Sequence, residues 1–152
     1  GQHPMTYCCI DLKPDDFLKF GLLYARQGEW NDTQVVPASY VRESLSSHSA
    51  FYGYQWWLLN DAYFSSEVPI TVYAASGLHG QKIYVWPAAD VVVVVLTQYQ
   101  HFANQGYVLD LSDEGTNFPN TCSARNNCPG STGSTVPTFD ELQLIKLIDA
   151  LN

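Results

Sequence analysis

Ser76, His79 and Asp90 are the residues of this chain that can be written as a serine nucleophile, a base and an orienting carboxylate. They make a poor triad. Residues three apart on a strand and turn point to different faces, and no sharp strand-to-helix turn holds the serine as a strained nucleophile. His3, His48, His79 and His101 show no His-x-His or His-Glu-x-x-His spacing, so no zinc site is expected. Asp110, Asp113 and Glu114 lack the Asp-x-Asp-x-Asp-Gly order of a calcium loop, and no cofactor is expected. What remains is backbone chemistry. Gly77 and Gly80 bracket Leu78 and His79, placing flexible backbone that a ligand can approach closely at the start of a β-rich run.

The elements that must hold this bracket lie on either side of it. Val72 to Ser76 and Gln81 to Trp86 read as strands, Pro87 to Asp90 as a turn, and Val91 to Val95 as a third strand. Five consecutive valines do not alternate, which predicts a strand buried on both faces in the centre of a sheet. Upstream, Pro14, Asp15 and Asp16 suit a helix start, and Phe17, Phe20, Leu22, Leu23 and Tyr24 supply its core face over 14–27. Gly28 ends that helix. Trp30 to Val36 reads as a small hairpin, and Pro37 to Ser44 as a short helix with Tyr40 and Val41 inward. From Phe51 to Leu58 the alternation predicts a strand with Tyr52, Tyr54, Trp56 and Leu58 on one face and Trp57 on the other. Such aromatic density packs a sheet against helices more often than it lines a ligand groove. At the far end, Thr138-Phe139-Asp140-Glu141 has the form of a capping box. Phe139, Leu142, Ile145, Ile148 and Leu151 then recur at helical spacing, so a helix is expected over 138–151.

Four blocks carry a family resemblance: Lys13 to Leu23; Gly28-Glu29-Trp30-Asn31 through Val35-Val36-Pro37 to Ser44; Tyr52-Gly53-Tyr54-Gln55-Trp56-Trp57; and Gly77-Leu78-His79-Gly80-Gln81 with its two strands. In this order, from Cys8 to about Gln98, the chain resembles the C-terminal part of the serine β-lactamase-like, penicillin-recognising hydrolases. That group includes class C β-lactamases, related esterases and aminohexanoate-dimer hydrolases, and the Gly-Leu-His-Gly-Gln form looks most like the last of these. The resemblance implies amide or ester hydrolysis by a serine with a lysine one turn later, aided by Tyr-x-Asn. Neither motif is here: the residues three before Lys13, Lys19, Lys82 and Lys146 are Ile10, Asp16, His79 and Gln143. Both motifs lie N-terminal to the matched region in the family, so the resemblance implies a C-terminal portion completed by an N-terminal remainder of the same hydrolase. It also implies that the backbone N–H of Leu78 is an oxyanion donor, with Gly77, His79, Gly80 and Gln81 bounding the substrate. Aligning on the glycine of the β-lactamase Lys-Thr-Gly strand instead would move the donor to Gln81. Loss of that lysine removes a clamp for a substrate carboxylate and argues against β-lactam turnover. Cys8-Cys9 stands where relatives carry Gly-Gly. The pair is read as two buried small residues, or as one cysteine bonded to a partner outside the sequence.

Composition narrows the partners. At 46% hydrophobic and 14% charged residues the chain is globular, and a net charge of −8 repels nucleic acid and anionic membrane surfaces. No apolar run reaches the roughly 20 residues that span a bilayer. Gly1 to Met5 has neither the basic nor the apolar region of a signal peptide, which is expected to have been removed or to lie upstream. Cys122 and Cys128 bracket a short polar loop ending in Pro129-Gly130, a spacing a disulfide closes easily. Asn31-Asp32-Thr33 is a glycosylation acceptor sequence in a turn. Together they lean toward a secreted protein.

The expected fold is therefore α+β: an antiparallel sheet of at least three strands flanked by helices, the C-terminal portion of a β-lactamase-like fold. Residues 1–97 and 138–152 form one domain, interrupted at 98–137 by a disulfide-stapled insertion rich in Asn, Gly, Ser, Thr and Pro. Two functions fit. One is the C-terminal portion of a serine hydrolase for small amides or esters, inactive alone. The other is a non-catalytic binding or assembly module that retains part of the hydrolase fold.

Overall fold

The computed structural model of the chain describes residues 10–77, 80–98, 101, 105, 108–110, 135–137 and 140–150. The first element is helix α1, Pro14–Ala25, with Pro14 in its first turn and Asp15 and Asp16 at its positive end. It closes by turning Gln27 left-handed (φ 54°) so that the Gly28 N–H donates to the Leu23 carbonyl at 2.7 Å. The chain then forms the hairpin β1 (Glu29–Trp30) and β2 (Thr33–Gln34), as the sequence predicts. Asn31 and Asp32 both have positive φ, the backbone that a two-residue hairpin turn requires and that Asn and Asp tolerate. Helix α2, Ala38–Ser44, buries Val41 completely but leaves Tyr40 50% exposed, so the expectation that both point inward holds for Val41 alone.

The aromatic run departs from its reading as one strand. Gly53 donates to the Trp56 carbonyl at 2.8 Å, Gln55 takes φ 64°, and only Trp57–Leu59 forms strand β3. The turn rotates Tyr54 away from its expected neighbours. Tyr54 is exposed and stacks on His48 at 4.3 Å, whereas Trp56 is buried against Tyr24. After the short helix α3 (Asp61–Phe64) come β4 (Val72–Ser76), β5 (Lys82–Trp86), a 3-10 turn at Pro87–Ala89, and β6 (Val91–Val95). Helix α4, Glu141–Asp149, follows two short strands, β7 (Val108–Asp110) and β8 (Thr135–Pro137). These pair in parallel, Val108 with Thr135 and Leu109 with Val136, inside the segment the sequence presents as irregular. The four cysteines fall outside the described residues, and so does the expected Cys122–Cys128 bond.

Strands β3, β4, β5 and β6 form one antiparallel sheet in that order, with Trp57 opposite Ala74, Ala74 opposite Tyr84 and Tyr84 opposite Val93. The period of two sends alternate residues to opposite faces. Ile83 and Val85 join Tyr24, Val41, Leu45 and Trp56 beneath α1, with Val92 and Val94 beside them. Tyr84 and Trp86 join Val72, Ala74, Ile145 and Ile148 beneath α4, with Val91, Val93 and Val95 beside them. The sheet is thus a middle layer between two helices, an α+β arrangement. Burial corrects one expectation. The strand buried at every position is β5, while the five valines of β6 form the outer strand and are only half-buried. Helix α1 reaches β6 because Gly21 lies on it: a Cβ at Gly21 would stand 2.4 Å from a Val92 methyl and 3.0 Å from one of Ile83. Phe20, read from the sequence as core, is 43% exposed beside that contact.

Candidate functional site

The glycine-bracketed turn joins β4 to β5. Ser76 is opposite Lys82 in the ladder, and the next residue out, Gly77, donates its N–H to the Gln81 carbonyl at 2.7 Å, closing the turn. Gly80 is buried with φ 82°, a backbone conformation that side-chain-bearing residues rarely adopt. Leu78 and His79, the expected oxyanion donor and pocket wall, lie outside the described residues. Gln81 is braced at both ends of its amide. Its Nε2 donates to the Thr97 carbonyl at 3.0 Å and lies 3.2 Å from Thr97 Oγ1, and its Oε1 accepts from the Thr97 N–H at 3.2 Å. The side chain thereby ties the turn to the end of β6.

One residue into β5 the alternation carries Lys82 to the α4 face, where a polar cluster is enclosed that the sequence did not announce. Lys82 Nζ donates to Glu141 Oε1 at 2.6 Å, with 2% of Lys82 and none of Glu141 exposed. Tyr84 Oη donates to the same oxygen at 2.8 Å, and half-buried Tyr63 donates to Oε2 at 3.1 Å. A buried carboxylate without donors would be strongly disfavoured, and three donors here replace its water. The helix start makes the geometry possible. Asp140 is the N-cap and accepts from the Gln143 N–H at 2.8 Å, leaving Glu141 at the first helical position free to turn inward. The N-cap is thus Asp140, whereas Thr138, the first residue of the expected capping box, lies outside the described residues. On the other side, Asn60 caps α3 by accepting from the Tyr63 N–H at 3.1 Å, which aims Tyr63 at Glu141. The signal available in the sequence was the shared parity of Lys82, Tyr84 and Trp86. Nothing local pointed from them to Glu141.

The written triad comes apart. Ser76 is at the turn end of the sheet and Asp90 at the opposite end of β5, where Arg26 Nη2 donates to it at 2.8 Å. That hydrogen bond, with the guanidinium charge, holds the Asp90 carboxyl below its usual value and the Arg26 guanidinium above its own. Burial pushes the hydroxyls of Tyr52 and Tyr73 up, the opposite of what a general base at neutral pH needs. His48 is occupied elsewhere, stacked on Tyr54 and 3.5 Å from Glu43. Among the described residues no three of His, Cys, Asp and Glu converge as a metal ion requires, and no helix is long and apolar enough to cross a membrane. A scan against protein-family models found no match to this chain. A search of curated proteins found no significant match.

Proposed function

We propose that this chain is the C-terminal portion of a β-lactamase-like serine hydrolase acting on small amides or esters, and that it supplies the strand bordering the acyl site. The observation that carries the reading is the β4–β5 turn. It is glycine-bracketed, closed by the Gly77-to-Gln81 hydrogen bond, and set at the end of an antiparallel sheet held between α1 and α4. An oxyanion hole needs fixed N–H groups aimed where negative charge develops, with no side chain in the way. In this reading the Leu78 N–H is such a donor, and Gly77, His79, Gly80 and Gln81 bound the substrate. The nucleophile and base come from an N-terminal remainder carrying Ser-x-x-Lys and Tyr-x-Asn. Lys82, the lysine nearest the turn in sequence, supports that division, because its amine is spent on Glu141 inside the α4 interface. The secretory setting rests on Cys122, Cys128 and Asn31, the last exposed at the tip of the β1–β2 hairpin.

The test is a comparison of the chain alone with the chain expressed together with such an N-terminal segment. Alone it is expected to hydrolyse an activated ester no faster than the blank and to take no fluorophosphonate label. Joined, the label is expected on a serine outside this chain, and replacing Leu78 by proline, which deletes its N–H, is expected to lower kcat about 100-fold or more. A label on the chain alone refutes the reading. Absence of both activity and label in the joined protein would leave the binding or assembly module as the better description.

A further inference from the structure

We infer that the side chain of Gln81 is a positioning residue for the glycine-bracketed turn, taking the place of a strand residue against Thr97 and so keeping the turn's own backbone out of the ladder. Strand β5 pairs with β6 as far as Lys82 opposite Val95, so counting outward sets Gln81 opposite Leu96 and Gly80 opposite Thr97. In an antiparallel pair, successive residues turn their N–H and C=O to alternate sides. The Gln81 carbonyl accepts from the Gly77 N–H and so faces β4, which makes Gly80 the residue whose backbone would meet Thr97. Gly80 does not meet it, because with φ 82° it has left the ladder. The Gln81 amide stands in. Its Oε1 accepts from the Thr97 N–H at 3.2 Å and its Nε2 donates to the Thr97 carbonyl at 3.0 Å, the donor and acceptor that a backbone residue would offer.

Glutamine suits this place for a chemical reason. Thr97 presents a donor and an acceptor together, and a primary amide answers both without carrying a charge. Below the amide, the stem of Gln81 packs on the turn: a Cβ at Gly77 would stand 3.3 Å from the Gln81 Cβ and from its carbonyl oxygen, so the residue that opens the turn lies directly on the one that closes it. Gln81 therefore joins three strands at one point. It holds β4 through its carbonyl, leads into β5 along the chain, and holds β6 through its amide. The catalytic meaning of this brace rests on the hydrolase reading. There Gln81 borders the acyl site by its backbone, and its side chain steadies the turn that carries the Leu78 N–H instead of touching the substrate.

Amide hydrogen exchange of the 152-residue chain, compared with Gln81→Met and Gln81→Glu, is the first test. The Thr97 amide is expected to be protected in the wild type. In Gln81→Met its protection factor is expected to fall about tenfold or more, while the amides of Tyr84 and Val93, paired in the middle of the ladder, keep theirs and report an intact sheet. Gln81→Glu adds a readout that packing alone does not give. Its carboxylate offers Thr97 acceptors only, whereas the protonated acid offers one donor and one acceptor, as the amide does. Protection of Thr97 in this variant is therefore expected to be low at about pH 7 and to rise toward about pH 4. In the protein joined to an N-terminal segment bearing the nucleophile, Gln81→Met is expected to lower kcat about tenfold or more with KM nearly unchanged. A Thr97 amide unprotected in the wild type, or equally protected in both variants at neutral pH, overturns the inference. So does a raised KM at unchanged kcat, which would make the Gln81 amide a substrate contact. A joined wild type without activity counts against the hydrolase reading alone, since exchange at Thr97 still decides the brace.

Discussion

Lys82 and Glu141 meet at 2.6 Å across 59 positions of sequence, with both side chains sealed from solvent between β5 and α4. The pair fixes where the last helix sits, because Glu141 is its first residue and can find three donors only at this end of the sheet. Breaking it from one side leaves a buried charge.

Lys82→Met is accordingly expected to lower stability by about 3 to 5 kcal/mol. Removing the three buried members together, as Lys82→Met with Tyr84→Phe and Glu141→Leu, leaves no orphan charge and is expected to recover most of that loss or exceed the wild type. Urea unfolding of the variants measures both. If the triple variant is less stable than Lys82→Met alone, the cluster is not a self-contained unit.

A second expectation concerns Gly21. In an exposed helix, Gly→Ala stabilises by about 0.5 to 1 kcal/mol. Here the new Cβ would stand 2.4 Å from a methyl of Val92, a stiff β-branched neighbour, and overpacking of this kind costs about 1 to 3 kcal/mol. Gly21→Ala is therefore expected to destabilise. Combined with Val92→Ala it should cost at least 0.5 kcal/mol less than the two single changes added, roughly the lower bound for residues in contact. Strict additivity in thermal unfolding would show that α1 does not lie on β6.

The third expectation is a pH dependence. Arg26 holds the Asp90 carboxyl below its ordinary value, so Asp90 binds protons less readily folded than unfolded. The stabilisation is complete above about pH 4 and is lost as pH falls through the lowered folded value. Asp90→Asn, which tolerates the left-handed backbone there (φ 52°), should melt below the wild type at neutral pH. The two curves should converge in acid. A gap in melting temperature that stays constant from pH 7 to pH 3 would exclude the Arg26 pair as its source.

How far the sequence could be read is clearest from β5 and β6. Val91–Val95 announces a strand with apolar neighbours on both faces, and α1 and α4 lie on those faces, but a side-chain pattern carries no record of how many strands lie alongside, so neither full burial nor the central place follows. The valine strand is the edge. Lys82-Ile83-Tyr84-Val85-Trp86, which contains a lysine and a tyrosine, is the centre, because Glu141 supplies from far away the partner that lets those polar groups be buried. The aromatic run fails for a different reason. Its alternation is genuine, but Gln55 adopts a left-handed conformation that nothing in its side chain advertises, and the turn there separates Tyr54 from Trp56. Helix α1 and the Asn31-Asp32 hairpin were legible because their signals, Pro14 with two acids and a pair of residues tolerant of positive φ, are local.

The distance between β6 and α4 along the chain has a bearing on synthesis. Strands β4 to β6 are joined by short connections and fold from near neighbours, whereas the helix that covers one of their faces begins some forty-five residues later. At ordinary elongation rates of about 5 to 20 residues per second, the face bearing Val72, Ala74, Tyr84 and Trp86 leaves the ribosome several seconds ahead of Ile145 and Ile148. For that interval the nascent sheet displays an apolar surface with one ammonium group, Lys82, at its corner, a surface of the kind that holding chaperones bind until the helix arrives.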